Sequence, residues 1–114
     1  MNLEIDQKWL SQFRKGFLEL CVLLALTRCE SSYGFELLQV FKANGLEVGE
    51  GTLYPLLNRM HKNGWIDSVW KPPEDGGHPR RFYSLNNVGK DMLQGMLKAH
   101  EHNQNIVKNL LEEK

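Results

Sequence analysis

The chain has no excess charge of either sign, almost no cysteine and no long apolar run. Its 114 residues carry 14 basic and 14 acidic groups, so no basic tail or acidic coat announces a polyelectrolyte partner. The longest apolar stretch, FLELCVLLAL (Phe17 to Leu26), is interrupted by Glu19 and is too short to span a bilayer. The start, MNLEID, has no basic region leading into an apolar segment, which predicts no secretory leader and a cytoplasmic protein without membrane partners. Cys21 and Cys29 stand eight apart in a helical run, a rise of about 12 Å, too far for a disulfide. They also lack zinc-ligand spacing, and Cys21 among Leu20, Val22 and Leu23 reads as a small core residue.

Catalytic patterns are missing as well. His61, His78, His100 and His102 have no metal-ligand spacing, and neither an acid pair nor a nucleophile motif appears. Gly76-Gly77 lies between two strand-like segments, whereas a dinucleotide loop needs a strand before it and a helix after it. The expectation is therefore a protein that is not an enzyme and needs neither cofactor nor metal.

The patterning that is present has a clear order. Trp9, Phe13, Phe17, Leu20 and Leu24 recur at helical spacing and predict a first helix over residues 8–28. CESSYG is a turn in which Ser31 or Ser32 can cap a second helix, about Tyr33 to Lys42, with Leu37, Leu38 and Phe41 inward and Asn44-Gly45 as its stop. After Leu46 and Val48 a third helix turns Leu53, Leu56, Leu57 and Met60 inward and runs to Asn63, with Gly64 as its stop. WIDSVWK and RFYSL then change to strand patterning around the polar loop PPEDGGHPR. Asn86 or Asn87 can cap a last helix reaching about Leu111. Three helices, a hairpin and a helix predict a mainly α (α+β) fold: a winged helix-turn-helix over residues 1–86, followed at 87–114 by an additional C-terminal dimerisation helix.

Pro55 is the anomaly, because proline inside a helix removes a hydrogen bond and crowds the preceding turn at a cost of about 3 kcal/mol. Spacing alone does not place the helix start; if the helix begins near Glu50, Pro55 falls just beyond its first turn, and the carbonyl it disturbs belongs to Gly51, which has room to tilt. Thr52, Pro55, Arg59 and Lys62 then share a face flanked by Tyr54 and Asn58. Arg59 suits a phosphate or a guanine edge, Asn58 an adenine edge, and Thr52 and Tyr54 phosphate oxygens. Such a face is also what any solvated helix presents. Its position before a hairpin whose far strand opens with Arg80-Arg81 favours a footprint for duplex nucleic acid.

The stretches SYGFELL (Ser32 to Leu38), GTLYPLLNRMHKNGWI (Gly51 to Ile66) and GGHPRRFYSLNNVGK (Gly76 to Lys90) closely resemble the PadR family of bacterial transcriptional regulators, in its short, LmrR-like subfamily. The resemblance implies a homodimeric winged-helix repressor that binds a promoter operator, pseudo-palindromic double-stranded DNA, and is relieved by a small-molecule effector. It puts recognition-helix positions on Thr52, Leu53, Tyr54, Pro55, Asn58 and Arg59, wing positions on Gly77, Arg80 and Arg81, and a position near the DNA backbone on Tyr33. Two positions depart from the family pattern: His61 stands for an acidic residue and Asn86 for a threonine.

Leu93, Met96, His100, Asn103, Val107 and Leu110 form a heptad seam with a polar centre, which predicts a dimer helix, and the resemblance implies help from the first helix, where Trp9 and Phe13 supply the aromatic surface. A helix with a wet centre fits the same pattern over so few heptads. The tryptophan that the LmrR-like subfamily places in this helix aligns with His100, so the resemblance does not carry planar-drug stacking over to this chain. The competing function is a winged-helix module that binds protein, which the zero net charge keeps open.

Overall fold

In the computed structural model, which describes residues 5–112, the first expected helix is two. α1 (Gln7–Phe13) starts at Asp6, whose Oδ1 accepts from the backbone N–H of Lys8 at 2.8 Å and Trp9 at 3.4 Å. It buries no residue, and a turn at Arg14 separates it from α2 (Lys15–Leu26). With no packing to hold it in line and Gly16 just beyond, nothing enforces one continuous helix. α2 is the central helix. Leu20, Val22, Leu23, Ala25 and Leu26 are buried, whereas Leu24, expected on the inner face, is 38% exposed because the core lies on the side of Leu23 and Leu26.

A strand that patterning missed comes next. β1 (Ser32–Tyr33) has only two residues, too few to show a period, and it pairs antiparallel with β3. α3 (Gly34–Ala43) follows directly, its start held by Glu36. That carboxylate accepts from the Tyr33 N–H at 3.3 Å and from Ser32 Oγ at 3.1 Å. Gly45, at φ 85°, ends α3 as expected.

α4 (Glu50–Lys62) carries Pro55 in its interior. Thr52 and Leu53 both donate to the Gly49 carbonyl, so the first turn is closed before the proline. Leu53, Leu56, Leu57 and Met60 are buried, and each such side chain stabilises the domain by roughly 1.5–3 kcal/mol. Gly64, at φ 81°, turns the chain into β2 (Ile66–Lys71), which pairs with β3 (Arg80–Leu85) in register from Ile66↔Leu85 to Lys71↔Arg80. The antiparallel sheet has the order β1-β3-β2.

α5 (Asn87–Leu111) is capped by Asn86, whose Oδ1 accepts from Gly89 N–H at 2.8 Å while its Nδ2 donates to the Gly64 carbonyl at 2.9 Å. One side chain thus ties the start of α5 to the turn after α4. The first half of α5 packs on α2 through Met92, Leu93 and Met96. Its second half projects, with Val107, Leu110 and Leu111 at 58%, 68% and 81% exposure. The described residues accordingly extend 62 × 34 × 21 Å.

Candidate nucleic-acid interface

Burying Leu53, Leu56, Leu57 and Met60 leaves the opposite side of α4 in solvent. Thr52, Tyr54, Pro55, Asn58, Arg59 and Lys62 are all exposed. Leu53 does not belong with them: it is 0% exposed in the core, so its side chain cannot reach a groove, and that expected contact is corrected. A Cβ placed on Gly49 or Gly51 would meet nothing within 4 Å, so the start of the helix is unobstructed.

Tyr54 and Asn58 border a cleft of about 360 Å³ between α4, the start of α3 and the hairpin, which Tyr33, Trp70, Arg80 and Arg81 complete. Tyr54 packs over Gly34, which has no side chain to stand in its way. Burial, then the nearby Glu50 carboxylate and Tyr83, hold the Tyr54 phenol above its ordinary range. It therefore stays an O–H donor through neutral pH.

The hairpin has two faces set by strand alternation. On the outer face Lys71 Nζ lies 4.4 Å over the Phe82 ring, Phe82 meets Tyr33 edge-on at 5.2 Å, and Arg80 Cζ lies 4.7 Å over Tyr33. This stack keeps two cations at the root of the wing. On the face toward α4, Arg81 is held by three partners. Its Nε donates to Ser68 Oγ at 3.0 Å, Nη1 to Asn58 Oδ1 at 3.1 Å, and Nη2 to His61 Nδ1 at 3.3 Å. At the tip, Gly77 N–H donates to Asp75 Oδ1 at 3.1 Å.

Arg59 sits on the flank of α4 nearer α2, where its Nη2 meets Glu19 Oε2 at 3.6 Å. It remains 54% exposed, so this is a surface pair worth at most about 1 kcal/mol, which a phosphate can displace. Sequence reasoning missed Trp70, 65% exposed and facing Asn58 across the cleft, and Lys71 beside it. The alternation of WIDSVWK carried the signal: Ile66 is buried, so Ser68 and Trp70 share its side of the strand.

The residues expected in a dimer interface separate into two groups. Leu93 is 8% exposed in the core of the chain, packed with α2, and that expectation is corrected: its surface is already spent within the chain. Met96 is half-buried at the edge of the same core. His100, Asn103, Val107 and Leu110 are exposed. Trp9 and Phe13, 52% and 64% exposed, stack on each other at 5.1 Å. Phe13, Phe17, Met96, His100, Asn103 and Val107 line a groove of about 640 Å³ between the N-terminal helices and α5. Among the described residues no cluster of His, Cys, Asp or Glu could hold a metal ion, and no helix is long and apolar enough to cross a membrane.

Residues 22–95 match the transcriptional regulator PadR-like family. The fold is similar to that of a PadR-like transcription factor from Bacteroides fragilis, at 36% identity over 91% of this chain and 98% of that one, with a TM-score of 0.73. It is also similar to a PadR family transcriptional regulator from Eggerthella lenta, at 27% identity over 95% and 93% of the two chains, TM-score 0.83. A PadR-like transcriptional regulator from Bacillus cereus matches at 33% identity over 91% of this chain and all of that one, TM-score 0.74.

Proposed function

Because the chain belongs to the PadR-like family of transcriptional regulators, we propose that it is a homodimeric, sequence-specific DNA-binding repressor relieved by a small-molecule effector. The observation that carries the DNA reading is the continuity of α4 with the hairpin. Tyr54, Asn58 and Lys62 on the helix and Trp70, Lys71 and Arg80 on the wing are all exposed, and Tyr54, Asn58, Trp70 and Arg80 share one cleft. α4 enters the major groove, with Asn58 and Arg59 at base edges and Thr52, Tyr54, Pro55 and Lys62 along the flanking backbone. The wing, through Tyr33, Gly77 and Arg80, lies against the adjacent backbone.

Dimerisation explains the apolar side chains of the second half of α5. Ile106, Val107, Leu110 and Leu111 on one projecting helix are 43%, 58%, 68% and 81% exposed, apolar surface that a second copy can cover. The stacked Trp9 and Phe13 lie on α1, and Phe13 reaches the groove beside α5. A two-fold dimer presents two α4 helices, which calls for a pseudo-palindromic operator. The groove lined by Phe13, Phe17, Met96 and Val107 is the site that suits an apolar effector.

Fluorescence anisotropy with duplexes from the chain's own promoter region tests the central reading. Several phosphate contacts predict binding that weakens steeply as salt rises, by about a thousandfold or more between low and moderate salt. Binding that ignores salt, or no binding at all, would instead favour a module that docks on protein.

A further inference from the structure

We propose that Arg81 acts as a positioning residue for base readout, holding the Asn58 amide in one orientation through a link that requires neutral His61. The inference rests on the DNA-binding reading above and deepens it.

The donor and acceptor inventory fixes most of the arrangement. Arginine can only donate, so His61 Nδ1, 3.3 Å from Arg81 Nη2, presents its lone pair. The imidazole proton then sits on Nε2 and is donated to Ser68 Oγ at 3.3 Å. Ser68 Oγ also accepts from Arg81 Nε at 3.0 Å, which closes a ring of three side chains from α4, β2 and β3. The Tyr83 ring lies 5.2 Å beneath the guanidinium. Held in this way, Arg81 extends Nη1 to Asn58 Oδ1 at 3.1 Å.

The consequence falls on Asn58, which is exposed on the outer side of α4. With Oδ1 turned to a cation, an amide flip would set Nδ2 donors against N–H donors, so the donor end stays directed away from Arg81. A fixed donor meets an acceptor on a base edge, such as a purine N7. Arg80 differs from its neighbour: it is exposed and rests on the Tyr33 ring, free to meet phosphate.

His61 makes the arrangement sensitive to protonation. An imidazolium would place a second donor and a second positive charge against Arg81. The groups that face His61 are Arg81 from β3, itself over the Tyr83 ring, and Ser68 from β2, with Arg59 and Lys62 near it in sequence on α4. The Asp67 carboxylate accepts instead from Asn86 Nδ2 at 3.1 Å. Among the described residues no carboxylate pairs with His61, the one ion pair being Arg59 with Glu19. Nothing nearby would compensate the added charge.

The test selects duplexes from a random-sequence pool with the wild-type protein. Anisotropy then compares the selected duplex with its single-base-pair variants, and thermal unfolding verifies that each protein is folded. Asn58→Ala should lose discrimination at one base pair by about fivefold to a hundredfold. Arg81→Lys should lose it at the same base pair, with the double variant no worse than Asn58→Ala alone. Wild-type discrimination there should fall as pH is lowered, while His61→Gln stays selective and flat. Full discrimination in Arg81→Lys, or an Arg81→Ala loss equal on every duplex with a salt slope lower by about one, overturns the positioning role. A wild-type profile as flat as that of His61→Gln overturns the link through histidine. If the wild-type protein selects no sequence, the DNA-binding reading itself falls and this inference falls with it.

Discussion

A methyl group on Gly34 would lie 2.8 Å from Cζ of the Tyr54 ring. This contact joins the first residue of α3 to the exposed face of α4, and it explains why a glycine opens a helix at a position where alanine is intrinsically better. The obstacle is the far end of a side chain that is 39% exposed, and such a ring can swing away. Gly34→Ala should therefore change stability by less than about 1 kcal/mol while weakening DNA binding as much as Tyr54→Ala does. Urea melts and anisotropy on the same preparations separate the two effects.

Gly89 has no such escape. A Cβ there would overlap the Trp65 carbonyl, which is backbone, and approach Leu85 Cδ1 at 2.7 Å. Gly89→Ala should destabilise the domain by about 1–3 kcal/mol, since overpacking at rigid backbone forces the whole helix to shift. A melt indistinguishable from wild type would show that α5 moves freely at its start.

Ending the chain at Ala99 retains Met92, Leu93 and Met96 in the core and removes the exposed half of α5. Sedimentation should show a dimer for the full chain and a folded monomer for the shortened one. A truncated protein that still sediments as a dimer would move the interface to α1 and α2.

The Arg59–Glu19 pair at 3.6 Å is exposed at the arginine end. Glu19→Gln should leave the melting profile nearly unchanged, within about 0.5 kcal/mol, because an exposed ion pair adds little. The same change frees Arg59 and should tighten DNA binding at low salt, an advantage that disappears as salt rises.

Cys29 is exposed, yet local burial and then the nearby Glu36 carboxylate push its thiol above the usual range. Its Sγ–H also points to the Ala25 carbonyl at 3.9 Å. Both effects favour the neutral thiol, so at a given alkaline pH the folded protein holds less thiolate than the unfolded chain. Alkylation by iodoacetamide should rise at higher pH in the folded protein than in urea. The linked effect on stability is a loss as pH climbs through the thiol range, with none at neutral pH.

The helices and the hairpin were legible because their signals are local. Asn44-Gly45, Gly64 and the Asn86 cap stop or start elements wherever they occur, and the four apolar residues of α4 recur at helical spacing. β1 was not, since two residues carry no period and Ser32–Tyr33 becomes a strand only when β3 arrives to pair with it. The break at Arg14 was hidden because Trp9, Phe13, Phe17, Leu20 and Leu24 keep helical spacing across it.

In the candidate interface the same division holds. Periodicity and residue type alone determined which side of α4 meets solvent and that Tyr54, Pro55, Asn58, Arg59 and Lys62 lie there, because helical spacing fixes the angle between side chains. Only the tertiary structure decided that Leu53 and Leu93 face the core, that Trp70 faces the cleft, and that Arg59 leans to Glu19. It also decided that Arg81, adjacent in sequence to the exposed Arg80, turns inward to Asn58, His61 and Ser68. Adjacent residues on a strand point to opposite faces, and what waits on each face is set by chain segments distant in sequence, which no local pattern records.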